Sequence, residues 1–138
     1  MSSFKVFDIA GSGMSAQSVR LNTTASNLAN ADSVGSDPAA VYKARHPVFE
    51  AVRSELAMKD QSSVAVRVRS ITTNEAAPAA HYEPGNPLAD SKGYVYAPNV
   101  NVIEEMTDMI SASRAYQNNV EVMNTSKEMM LATLKLGQ

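Results

Sequence analysis

With 138 residues, 44% of them apolar and 19% charged, the chain has material for one modest domain plus extended helices. Twelve basic against 14 acidic residues leave a formal charge of −2, which offers no basic face for nucleic acid or anionic lipid. Cysteine is absent, excluding disulfides and thiol chemistry.

The amino-terminal segment, residues 1–33, reads as helical from about Phe4 to Ala31. Met14, Leu21 and Leu28 recur every seven residues with Ser18 and Ala25 interleaved, and Ile9 and Ala16 extend an adjacent line. Small residues dominate, so a partner helix can approach closely. Gly11, Gly13, Thr23 and Thr24 lower helix propensity, and Asn22, Asn27 and Asn30 favour ends and turns. The segment is therefore expected to be poorly ordered alone and helical once packed. Asp8, Gly11 and Ser12 interrupt any apolar run, so neither a cleavable signal nor a bilayer span is expected, and export would not use the general secretory route.

In residues 34–98 the period changes. Tyr42 to Phe49 is a weak extended candidate broken at Pro47, and Val52 to Met58 is ambiguous. Val64, Val66 and Val68 alternate with Ala65, Arg67 and Arg69 before Ile71, which predicts a strand with one covered face. Pro84, Gly85, Pro87, Gly93, Tyr94 and Pro98 then mark a turn-rich connector containing a short strand at 93–96. One reading makes it a rigid hinge that orients the last helix and buries Tyr94 and Tyr96 against it; the other makes it an ordinary loop with surface tyrosines.

Residues 99–138 carry the longest pattern: Val102, Met106, Met109, Ser113, Tyr116, Val120, Met123, Lys127, Met130 and Leu134 stand four and three apart. Asn101 is placed to cap this helix, with Glu104 three residues on. About 35 helical residues span roughly 50 Å, more than a chain of this size covers with its own core. Ile103 and Ile110 widen the stripe, and the methionines suit inequivalent neighbours. Met14, Leu21, Leu28, Met106, Met109, Tyr116, Val120, Met123, Met130 and Leu134 are accordingly the candidate assembly interface. The competing account has them fill an intramolecular hairpin. The fold class is α+β: two long terminal helices forming a coiled-coil-like pair around a small β-rich middle.

Three motifs occur in order along nearly the whole chain: Ser26-Asn27-Leu28-Ala29-Asn30-Ala31; Tyr82 to Asp90 continuing through Gly93 to Asn101; and Ser113-Arg114-Ala115-Tyr116-Gln117-Asn118-Asn119. Together they resemble the bacterial flagellar basal-body rod proteins, most closely the short members of the proximal rod. Asp32-Ser33-Val34-Gly35 and Gly85-Asn86-Pro87 depart from that pattern. The resemblance implies a non-enzymatic subunit of the periplasmic rod, exported by the flagellar type III apparatus without signal cleavage. It also implies polymerisation with copies of itself and other rod proteins, the terminal helices lining the export channel and the middle facing outward. The alternative is a soluble coiled-coil module that binds a partner and has no place in a motor.

No chemical constellation competes with these readings. Gly11-Ser12-Gly13-Met14-Ser15-Ala16 imitates a dinucleotide loop, but no alternating βαβ pattern follows. His46 and His81 lack ligand-spaced neighbours, so no metal, cofactor or small-molecule substrate is expected. Glu83 and Asp90 are expected to satisfy turn donors, and the tripeptides at Asn22 and Asn124 fall on helices. Arg114 and Asn118 are candidates for interhelical hydrogen bonds, and Lys127 is expected at a seam edge.

Overall fold

Two terminal helices flank four short strands in a computed structural model that describes residues 3–52 and 64–136. In chain order these are α1 (Ser3–Ala29), β1 (Arg45–Val52), β2 (Ala65–Thr73), β3 (Ala79–Tyr82), β4 (Tyr94–Ala97) and α2 (Val102–Leu136). The expected α+β class, with paired terminal helices around a β-rich middle, is the one observed. Most of the ambiguous Val52 to Met58 stretch lies outside the described residues.

The helices run antiparallel. Asn27 of α1 meets Glu105 of α2, Arg20 meets Asp108, and Gly13 faces Asn119, so each advance along α1 is a matching retreat along α2. The residues that touch are small or polar. On α1, Ala10, Ala16, Thr23, Thr24 and Asn27 are buried; on α2, Glu105, Ala112 and Ser126 are. A Cβ at Gly13 would stand 2.9 Å from Asn119 Nδ2, so a side chain there would have to displace that amide.

This contact line is rotated from the stripes of larger apolar residues. On α2 it follows Glu105, Ala112, Asn119 and Ser126, one residue before the Met106, Ser113, Val120 and Lys127 line, while Met109, Met123 and Met130 stay half-buried on its flank. One residue is about 100° of helix, enough to move a side chain from the contact to its edge. Counting large apolar residues locates the wider stripe; close packing selects the small ones.

α2 begins as its sequence specifies. Asn101 Oδ1 accepts from the backbone N–H groups of Ile103 (3.1 Å) and Glu104 (3.4 Å). Glu104 and Glu105 lie in the first turn and Lys135 in the last, the arrangement the helix dipole favours.

β1 and β2 form an antiparallel ribbon packed on α1. β1 runs straight through Pro47, which pairs with Ile71, so the expected break there is absent. In a two-stranded sheet every strand is an edge, and proline is tolerated where its missing N–H would face outward. The irregularity falls one residue later, as a register shift between Val48 and Phe49. β2 carries the predicted alternation, with Val66 and Val68 half-covered and Arg67 and Arg69 exposed.

β3 and β4 form a second hairpin, which an isolated bridge between Gly35 and Tyr96 ties to the segment after α1. Its inward residue is Val95, 1% exposed, whereas Tyr94 is exposed and Tyr96 half-buried. The expectation that both tyrosines bury against α2 is thus corrected: alternation puts Val95 inside and the tyrosines on the other face. Tyr94 instead meets Tyr82 edge to face across the hairpin, with ring centroids 5.3 Å apart.

Candidate assembly surface

Two asparagines join segments that lie far apart in the chain. Asn27, in the last turns of α1, is fully buried and uses its whole hydrogen-bonding capacity. Its Nδ2 donates to the Arg45 carbonyl and to Glu105 Oε1, both at 2.8 Å; its Oδ1 accepts from Tyr42 Oη at 2.8 Å and from the Arg45 N–H at 2.9 Å. One side chain thereby joins α1, the start of β1 and the first turn of α2. Arg45 completes the node by lying over the Tyr42 ring, 5.5 Å from its centroid.

Asn99, half-buried, does the same for the connector. Its Oδ1 accepts from the Ala44 N–H at 2.9 Å, and its Nδ2 donates to the carbonyls of Asn74 (2.9 Å) and Ala76 (2.8 Å). Beside it Pro98 is buried and Asn101 caps α2, so the chain enters the long helix from a fixed direction.

Within the connector, Asp90 organises the return into β4. Its Oδ1 accepts from the N–H groups of Lys92 and Tyr94, and its Oδ2 from Tyr96 Oη. The Tyr94 N–H bond chiefly holds its carboxyl below the usual aspartate value. Gly93 adopts φ of +83°, where a Cβ would come within 2.9 Å of the Tyr82 ring. Pro84, Gly85 and Pro87 are exposed on the turn, and Glu83 accepts from the Asn86 side chain. Elsewhere Glu75 is held below its ordinary value by hydrogen bonds from Lys43 first and Thr73 second.

The large apolar residues singled out in the sequence are incompletely covered by their own chain. Met14, Leu21, Leu28, Met109, Val120, Met123 and Met130 are half-buried, and Met106 (53%), Tyr116 (38%) and Leu134 (64%) are exposed. Ile103 and Ile110 are also open, at 77% and 54%. An apolar groove of about 540 Å³ lies where Val6 of α1 faces Val122 and Met129 of α2. Arg114, Asn118 and Lys127 are exposed, as are His46 and His81. This surface has the chemistry of packing: apolar stripes with a polar flank.

Both asparagines lie within the motifs that carry the family resemblance, but nothing in the sequence shows what either one bonds to. Asn27 is also a poor helix former, a sign that something other than propensity keeps it in α1. Its partners come from three separated segments that only the fold brings together.

Residues 7–35 match the family model for the flagella basal body rod protein, and residues 91–136 match that for the flagellar basal body rod FlgEFG protein C-terminal region. The chain is 53% identical over 138 residues to the flagellar basal-body rod protein FlgC of Yersinia enterocolitica and 51% identical to that of Salmonella typhimurium, covering all of both chains in each case. The FlgC of Aquifex aeolicus is 42% identical over 135 residues, covering 98% of this chain and 97% of that one. Matching at both helical ends and along the full length, this chain belongs to the FlgC family of flagellar basal-body rod proteins, and its role is structural rather than catalytic.

Proposed function

We propose that this chain is a subunit of the proximal rod in the periplasm, polymerising with rod homologues and copies of itself into the torque-transmitting shaft. Residues 1–33 and 99–138 form the inner helical layer and the wall of the export channel; residues 34–98 form the outer contacts. The chain reaches that site through the flagellar type III apparatus without signal cleavage.

One observation carries the reading: the fully buried residues of the pair α1–α2 are small or polar, and its larger apolar side chains are only partly covered or exposed. Met106, Tyr116 and Leu134, with the half-covered Met14, Leu21, Leu28, Met109, Val120, Met123 and Met130, are then the surface that adjoining subunits cover. A shaft under torque resists shear best through contacts spread along rigid elements, and helices tied to each other by Asn27, with the entry into α2 held by Asn99, supply such elements. Pro84, Gly85, Pro87, Gly93, Tyr94 and Pro98 fix the hairpin and the entry into α2.

Mass spectrometry of intact basal bodies purified from the native cell tests this reading. The polypeptide should be present with its amino-terminal sequence intact apart from initiator methionine processing. Its absence from basal bodies, alongside abundance elsewhere in the cell, would favour the unrelated coiled-coil module.

A further inference from the structure

The contact between the helices repeats along its length. On α2 the line Glu105, Ala112, Asn119 and Ser126 advances by seven residues, while on α1 Asn27, Arg20, Gly13 and Val6 retreat by seven. Three of the facing pairs are seen directly: Asn27 bonds Glu105, Gly13 faces Asn119, and Val6 shares a groove with Ser126. A slide of seven residues, roughly 10 Å, would bring each position onto the next of the same line. Sterics oppose it weakly, because Gly13 would then face Ala112 or Ser126, both smaller than Asn119.

We infer that the Asn27–Glu105 hydrogen bond sets the axial stagger of α1 on α2, choosing one position from several that packing leaves close in free energy. The two residues are 0% and 3% exposed, so water does not reach the bond. Glu105 Oε2 has no partner among the described residues, which leaves the carboxyl group dependent on Asn27. A slide one way puts Asn27 opposite Ala112 and carries Glu105 beyond the end of α1. The other takes Asn27 past the start of α2 and turns Glu105 toward Arg20, which already pairs with Asp108. Each loses a buried polar bond that the observed stagger makes. Choosing a register is the best-attested use of a lone buried polar position between helices. The Arg20–Asp108 pair also joins the helices, but at 27% and 42% exposure it restrains a slide weakly. The inference holds whether or not the chain enters a rod; within one, the stagger fixes how the apolar stripes of α1 and α2 line up.

The chain lacks cysteine, so introduced thiols report position without background. In purified full-length chains at high dilution, Asn119→Cys is combined with Gly13→Cys for the observed stagger, or with Val6→Cys or Arg20→Cys for a slide either way. Disulfides formed on mild oxidation are counted by peptide mass spectrometry with Glu105 unaltered, Glu105→Gln or Glu105→Leu. The unaltered residue and Glu105→Gln, which keeps an acceptor for Asn27, should each give a 13–119 link about tenfold above the other two, a ratio that one buried hydrogen bond supports. Glu105→Leu leaves Asn27 its bonds to Arg45 and Tyr42 and cuts its tie to α2. There the 6–119 or 20–119 link should rise to within about threefold of 13–119. An undiminished 13–119 preference in Glu105→Leu overturns the inference and assigns the stagger to the β1–β2 ribbon and the bonds of Asn99. Loss of all three links, or of helix content by circular dichroism, also overturns it, because the bond would then hold the helices together without choosing their stagger. Mixed links with Glu105→Gln would remove the hydrogen bond as the cause.

Discussion

Asn27 donates a 2.8 Å hydrogen bond to Glu105 in a place that water does not reach: the two residues are 0% and 3% exposed. A carboxylate this buried needs its donors, because an unpartnered polar group inside a protein costs far more than a satisfied one contributes. Asn27→Leu keeps approximate size but strands Glu105, the Tyr42 hydroxyl and both Arg45 backbone groups. It should destabilise the chain by about 3–5 kcal/mol, read as a lower urea midpoint. Glu105→Gln keeps an acceptor for Asn27 and should cost clearly less. Equal losses from the two variants would show that packing, not hydrogen bonding, matters here.

Val120 is half-buried in the single chain and lies on the apolar stripe assigned to neighbouring subunits. Val120→Asp should block incorporation into the rod, and with it motility, because an unpaired charge in a dry interface costs several kcal/mol. His81→Ala, at an exposed position of β3, should be tolerated. Export and cellular abundance must be measured with motility, since degradation before export produces the same phenotype. Normal assembly of Val120→Asp at ordinary abundance would refute the stripe.

Gly93→Ala should loosen the β3–β4 hairpin. Its φ of +83° disfavours a side chain, and the new methyl would press on the Tyr82 ring. A loss of about 1–2 kcal/mol is expected, with weaker ring contact between Tyr82 and Tyr94 seen by NMR. Gly85→Ala serves as the control, because nothing lies within 4 Å of a Cβ there.

Acid should release the same hairpin. The folded-state pKa of Asp90 is depressed, so its contribution is complete above the ordinary aspartate value of about 4 and disappears as pH falls through the lowered folded value. Protection of the Lys92 and Tyr94 amides, taken relative to the intrinsic exchange rate at each pH, should therefore fall on acidification through that window. Asp90→Asn should flatten the dependence at these two amides. Persistence of the full acid effect in Asp90→Asn would assign it to another carboxylate, with Glu75 next to examine because its pKa is depressed as well.

The sequence of α1 combines weak helix formers with a buried contact line, so its order depends on what it packs against. In isolated soluble subunits the amide protons of residues 5–30 should exchange faster than in assembled rods. Full protection throughout this stretch in a demonstrated monomer would contradict the expectation.

The helices and the α+β class were legible because a four-three repeat sustained over 35 residues fits the period of a helix and of no strand or loop. The rotation of the contact line was not, since Ala112, Asn119 and Ser126 carry little weight in any count of hydrophobic residues yet fit where backbones come close. Pro47 looked like a strand break because one cannot tell from the strand itself that its outer edge is unpaired. Tyr94 and Tyr96 were correctly placed on one face, but only the pairing partner and the buried Val95 reveal which face looks inward. Asn27 and Asn99 fell within the quoted motifs, but their bonding lay beyond sequence reasoning for a common cause: the bonds are long-range, and an asparagine reads alike in a turn and at a buried junction.

The side chain of Asn99 grips the backbone at Ala44, Asn74 and Ala76, close to where the chain leaves for the β3–β4 hairpin and returns from it. The hairpin is consequently an excursion clasped at its base. Residues added at its tip extend the reach of the subunit away from the helices without changing where α2 begins. Insertions at the hairpin tip should therefore be borne without displacing α2, provided the clasp is kept.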